Sequence, residues 1–179
     1  MKMKTERGRE FFKDKLALLA LLTALALVFS WVELLLPLSS AVPGVKLGLA
    51  NLVILVALYT LGPGSALVVN VLRILLAGAL YGNLFSVAYA LSGGLLSLAV
   101  MILLKKTGLF SLAGVSMAGG VAHNAGQLLM AVLVVENPKL FLYLPILLFS
   151  GMVSGLLVGI AATLICRRLA HFKINSATL

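Results

Sequence analysis

The chain has 179 residues, 62% of them hydrophobic, and a mean hydropathy of +1.17, a balance that no soluble domain of this size tolerates. Its formal net charge of +9 does not mark a nucleic-acid surface, because no soluble domain is left to carry a folded basic face. Its single cysteine, Cys166, excludes an internal disulfide and a multi-cysteine metal site.

In chain order, six apolar spans are predicted, near residues 15–36, 46–61, 64–81, 83–104, 114–135 and 140–167. Most are long enough for a hydrocarbon core of about 30 Å. They are rich in Leu, Ala and Gly and lack the alternation of a β-barrel, so the expected fold is an all-α integral membrane bundle of six transmembrane helices. Residues 1–14 read as a basic cytoplasmic tail, 15–168 as one transmembrane domain and 169–179 as a cytoplasmic C-terminal tail.

The first span follows the basic stretch Lys2, Lys4, Arg7, Arg9, Lys13 and Lys15. With Ser39-Ser40-Ala41 beyond it, this start resembles a signal peptide, but the apolar run continues through Trp31 to Leu36 and reads as an uncleaved helix. Ala17, Ala20 and Ala24 fall on one stripe of that helix, a spacing that lets another helix approach closely. Glu33 lies near its outer end, and Lys46 opens the second span. Lys46 either pairs with Glu33 or attracts an anion. The second and third spans are short and joined by the uncharged turn Gly62-Pro63-Gly64, so a re-entrant hairpin is the alternative to two full crossings.

The third span carries Arg73 among apolar residues. A charge at that depth costs about 2.5–3.5 kcal/mol unless a partner or water meets it. The acidic residues are Glu6, Glu10, Asp14, Glu33 and Glu136, all in the N-terminal tail or near a predicted membrane edge. Arg73 is therefore tied to polar groups or awaits an anion, with Asn70 one turn earlier placed to orient it. In the fifth span His123 and Gln127 are four residues apart and share a helix face, with Asn124 at its border. The cluster reads either as interhelical glue or as a ligand contact. Counting residues from the span ends puts Arg73, Ser92, His123 and Gln127 near one depth.

Basic residues in the N-terminal tail, at Lys105-Lys106 and at Arg167, Arg168 and Lys173 all fall on one side of a six-span path. The positive-inside bias makes that side cytoplasmic, with both termini there. There is no G-x-x-x-x-G-K-[ST] loop, and with one Asp in the chain a paired-aspartate magnesium site and a Ser/His/Asp triad cannot be built. No cofactor is expected. No repeat relates the two halves, which argues against a self-sufficient inverted-repeat transporter.

The ordered set Pro43-Gly44-Val45-Lys46-Leu47-Gly48-Leu49-Ala50-Asn51, Arg73, Gly82, Ser92-Gly93-Gly94, Ser116 to Gly120 and His123-Asn124-Ala125-Gly126-Gln127 resembles one bacterial membrane family, the Gx transporter family, often labelled heptaprenyl diphosphate synthase component I. That family is similar to the substrate-binding S components of energy-coupling factor (ECF) transporters. The resemblance implies an S-component-like fold in the bacterial plasma membrane. It also implies capture of a small polar or anionic solute by Lys46, Asn51, Arg73, Ser92, His123, Asn124 and Gln127. The partners it implies are a transmembrane coupling protein and ATPases, docking at Ala17, Ala20 and Ala24. Two other functions stay open: a membrane subunit of prenyl diphosphate or quinone synthesis, and a membrane anchor of a flavin- or quinone-linked redox complex.

Overall fold

The computed structural model describes the backbone of residues 2–36 and 47–176 and the side chains of residues 13–36 and 47–170. Lys46, the stretch Pro43 to Val45 and the Ser39-Ser40-Ala41 site lie outside the described residues, as do the side chains of the basic N-terminal stretch up to residue 12. The described elements are α1 (Lys2–Leu35), α2 (Leu49–Thr60), α3 (Pro63–Tyr81), α4 (Leu84–Thr107), α5 (Leu112–Val135), a 3-10 turn (Pro138–Tyr143) and α6 (Leu144–Ser176). All are helical. Five segments are long and apolar enough to cross a membrane: Lys13–Leu35, Pro63–Tyr81, Leu84–Thr107, Leu112–Val135 and Pro138–Ala170. Large apolar side chains such as Leu21, Leu25, Leu80, Leu103, Leu133 and Leu157 are exposed along these helices, which is the surface that lipid covers.

The helix ends follow local chemistry. Pro63 opens α3, where its missing N–H costs nothing. Asn83 and Ser86 form a reciprocal capping box at the start of α4, and the Ser111 hydroxyl accepts from Gly114 N at the start of α5. Gly108 closes α4 in the left-handed region at φ 69°, where a side chain would be strained.

The second helix departs from the predicted span. It has 12 residues, about 18 Å at 1.5 Å per residue, short of a bilayer core. It is also the most enclosed element: Val53 through Leu58 are all buried, a helix apolar on every side. It packs on α1, α3 and α6 at the centre of the bundle. Both of its ends meet a charge from another helix. The Glu33 carboxylate accepts from Leu49 N at 2.8 Å, and the Lys105 ammonium donates to Leu58 O at 2.7 Å while lying 4.6 Å from the centre of the Tyr59 ring. Anion at the start and cation at the end is the arrangement that a helix dipole favours. Glu33 is thus committed in part to α2. Lys105 belongs to the last turn of α4 and is bound there, rather than loose in a loop.

These contacts set the direction of the chain. The end of α3 meets α1 two turns before the end of that helix, where Tyr81 Oη donates to Leu27 O at 3.3 Å. The ends of α2 and α4 meet at the other end of the bundle. The tightest seam joins α5 and α6, antiparallel along Gly120 with Gly151, Ser116 with Gly155 and Ala113 with Gly159. A Cβ added at Gly155 would stand 2.7 Å from Ser116 O, and one at Gly159 2.6 Å from the Ala113 Cα. The run Gly151-x-x-x-Gly155-x-x-x-Gly159 lets the two backbones touch, the small-residue packing of membrane helices.

Candidate functional site

Arg73 sits ten residues into α3 and is 8% exposed. Its guanidinium is held by neutral oxygens alone. Nε and Nη2 donate to Asn70 Oδ1 at 3.3 and 3.1 Å, Nη2 to Asn51 Oδ1 at 3.4 Å, and Nη1 to Ser30 Oγ at 3.4 Å. Asn70, one turn earlier on the same face, therefore orients the fork, and Asn51 and Ser30 tie it to α2 and α1. Most of these bonds are long and all go to neutral groups, so among the described residues Arg73 is positioned but has no ion-pair partner.

A cavity of about 190 Å³ opens in front of it. Asn51, Arg73, His123, Asn124 and Gln127 all line it, so five of the seven expected solute-contact residues share one space. Of the other two, Lys46 lies outside the described residues. Ser92 is turned away: its hydroxyl donates to Tyr89 O and to Gly126 O, both at 2.9 Å, and so clamps α4 to α5. The lining also includes Glu33, Ser30, Tyr81, Ser86 and Ser154, none of which the sequence singled out as a partner of Arg73. Glu33, expected at a membrane edge, faces the same space as the arginine.

The polar trio on α5 divides by task. Asn124 Nδ2 donates to Leu147 O at 2.6 Å and to Ser150 Oγ at 3.2 Å, which fastens α5 to α6. That half of the side chain is glue. Gln127 differs. It is 2% exposed, lines the cavity, and neither Oε1 nor Nε2 meets a hydrogen-bond partner among the described residues. A buried carboxamide left so costs about 1–3 kcal/mol. His123 is half-buried on the same wall.

Small residues on α4 make room for this wall. A Cβ at Gly93 would stand 2.6 Å from Gln127 Cγ and 2.8 Å from His123 O, and one at Gly94 3.1 Å from Asn70 Nδ2. The Ser92-Gly93-Gly94 string therefore supports the site from behind: the hydroxyl locks α4 to α5, and the two glycines let Gln127, His123 and Asn70 lie flat. Below the cavity a second space of about 20 Å³ shares Gly48, Asn51, Gly120 and Ser154 with it and is floored by Ser97, Met101 and Ser116. That is room for about one water molecule. Among the described residues no three of His, Cys, Asp and Glu come together as metal ligands would.

The stripe Ala17, Ala20 and Ala24 is exposed on α1, while Thr23 and Ala26 are buried.

Five long apolar helices mark a multi-pass membrane protein, and its bundle holds a largely apolar cavity with a few charged and polar side chains in its wall. The chain belongs to the heptaprenyl diphosphate synthase component I family, whose family model matches residues 22–165. No curated protein and no solved structure matches the chain.

Proposed function

We propose that the chain is the solute-binding membrane subunit, S-component-like, of an uptake system in the bacterial plasma membrane. It crosses the membrane six times, with α2 as a short central span and both termini cytoplasmic. It takes a small polar solute from outside into the Arg73 cavity, where Arg73 holds an acceptor group and Gln127, Asn51 and His123 orient the rest. A coupling protein with ATPases docks on the exposed Ala17, Ala20 and Ala24 stripe and supplies the energy.

The observation that carries this reading is Gln127, a nearly fully buried amide with both polar atoms unpartnered at the wall of the Arg73 cavity. Interhelical glue would pair those atoms, whereas a binding site leaves them for the solute. The size agrees: an engineered cavity of about 150 Å³ admits benzene, and this one is about 190 Å³. The family description carries a second reading, a membrane subunit of prenyl diphosphate synthesis. Native mass spectrometry of the protein purified in mild detergent separates the two. A co-purifying small polar molecule, and a coupling protein with ATPases, support uptake. A co-purifying soluble prenyl synthase with an isoprenoid, and no polar molecule, refutes it.

A further inference from the structure

We infer that the solute of the Arg73 cavity is a zwitterion, with an anionic group for Arg73 and a cationic or strongly donating group for Glu33. The inference rests on the proposed reading of the cavity as a solute site and deepens it by naming the charge class.

Two formal charges line the cavity among its described residues, Arg73 and Glu33, and they are opposite in sign. They attract each other across the cavity, but no hydrogen bond or ion pair joins them: the described hydrogen bonds of each go to neutral groups. Arg73 is held open by Asn70, Asn51 and Ser30, which fix its fork without cancelling its charge. Glu33 is held on the other side by Leu49 N, which takes only Oε1. Each charge is thus oriented by neutral groups and kept from the other. A simple anion entering this space would meet Arg73 but leave it and the described lining with a net negative charge inside an apolar bundle. A simple cation would do the reverse. Buried charge is tolerated only when it is matched. A molecule carrying both signs matches both at once and leaves the bundle neutral. Gln127, with a free donor and a free acceptor, then reads the polar middle of such a molecule.

The test is a matched set of probes on the purified full chain: 5-aminopentanoate, pentanoate and pentylamine, with affinity read by isothermal titration. The first should bind about tenfold or more tighter than either single-charge relative, the size of one lost charge-assisted contact. Glu33→Gln keeps an oxygen for Leu49 N, so it should fold, and its preference should move to pentanoate. Arg73→Gln should move the preference to pentylamine. Lys139 is exposed and outside the lining, so Lys139→Gln is the control and should leave the preference unchanged. Equal or tighter binding of pentanoate by the wild type, or loss of the preference in Lys46→Gln, overturns the zwitterion and leaves the solute site standing. If no probe binds, the molecule that co-purifies decides: a zwitterion upholds the inference, and a net anion, net cation or uncharged molecule overturns it. If nothing binds and nothing co-purifies, the solute site falls and the charge inference falls with it.

Discussion

Replacing Gln127 with leucine should make the protein more stable and less able to hold its solute. The side chain is 2% exposed, and both of its polar atoms lack a partner among the described residues. Leucine has a similar volume and no polar group to desolvate. Each unsatisfied buried group costs about 1–3 kcal/mol, so relieving the amide should stabilise the solute-free protein by at least about 1 kcal/mol. For a chain of this size about 1 kcal/mol corresponds to about 2–4 °C in Tm. Binding moves the other way. Two neutral hydrogen bonds at about 0.5–1.5 kcal/mol each give a loss of about 5- to 150-fold in affinity. The assays are thermal unfolding of solute-free protein in detergent and the occupied fraction in native mass spectra. A lower Tm in Gln127→Leu would refute the reasoning, because it would show that the amide is hydrogen-bonded in the folded protein and works as glue.

Single cysteines on a Cys166→Ser background test the path of the chain: reagent added outside intact cells should label a cysteine at Asn137 and not one at Leu109, which is 83% exposed and leaves the Lys105 contact untouched. The reverse pattern, or labelling of both, would sink the six-span arrangement. Ala24→Leu on the exposed stripe should leave Tm and solute occupancy unchanged while abolishing uptake and complex formation; a lower Tm would make the stripe an internal contact. Gly155→Leu should lower Tm sharply, since even its Cβ would stand 2.7 Å from Ser116 O, and overpacking typically costs about 1–3 kcal/mol. An unchanged Tm there would mean that the α5–α6 seam is looser than drawn.

The helices were readable because apolar runs end at turn chemistry: Gly62-Pro63, Gly82-Asn83 and Asn137-Pro138 all fall at element ends. The second span was harder, because its hydrophobicity reports burial and not length. A helix enclosed on all sides by other helices looks the same in sequence as one bathed in lipid. Depth counting placed Arg73 and the His123 cluster on a common level, and the structure brings them to one cavity. The same count included Ser92, which points to Gly126 instead, because depth along an axis says nothing of rotation about it. Glu33 lies two residues from the end of α1 and still lines the cavity, because the contacts of α1 with other helices turn it inward, and no local pattern encodes those. The glycines at 151, 155 and 159 were in plain view at a spacing of four, and their meaning needed only a partner helix to be named.

The short second helix has a consequence for how the protein is made. At about 18 Å it is shorter than a hydrocarbon core of about 30 Å, so on the proposed six-span path its ends fall where neither lipid nor water can solvate free backbone groups. Glu33 arrives at the membrane before α2 and can receive its first N–H at once. Lys105 arrives only after α3 and nearly all of α4 have been synthesised. Until then the last turn of α2 has no ammonium to answer Leu58 O. On that path the C-terminal end of this segment is completed only by a residue more than forty positions downstream, so the bundle closes around α2 instead of growing outward from it.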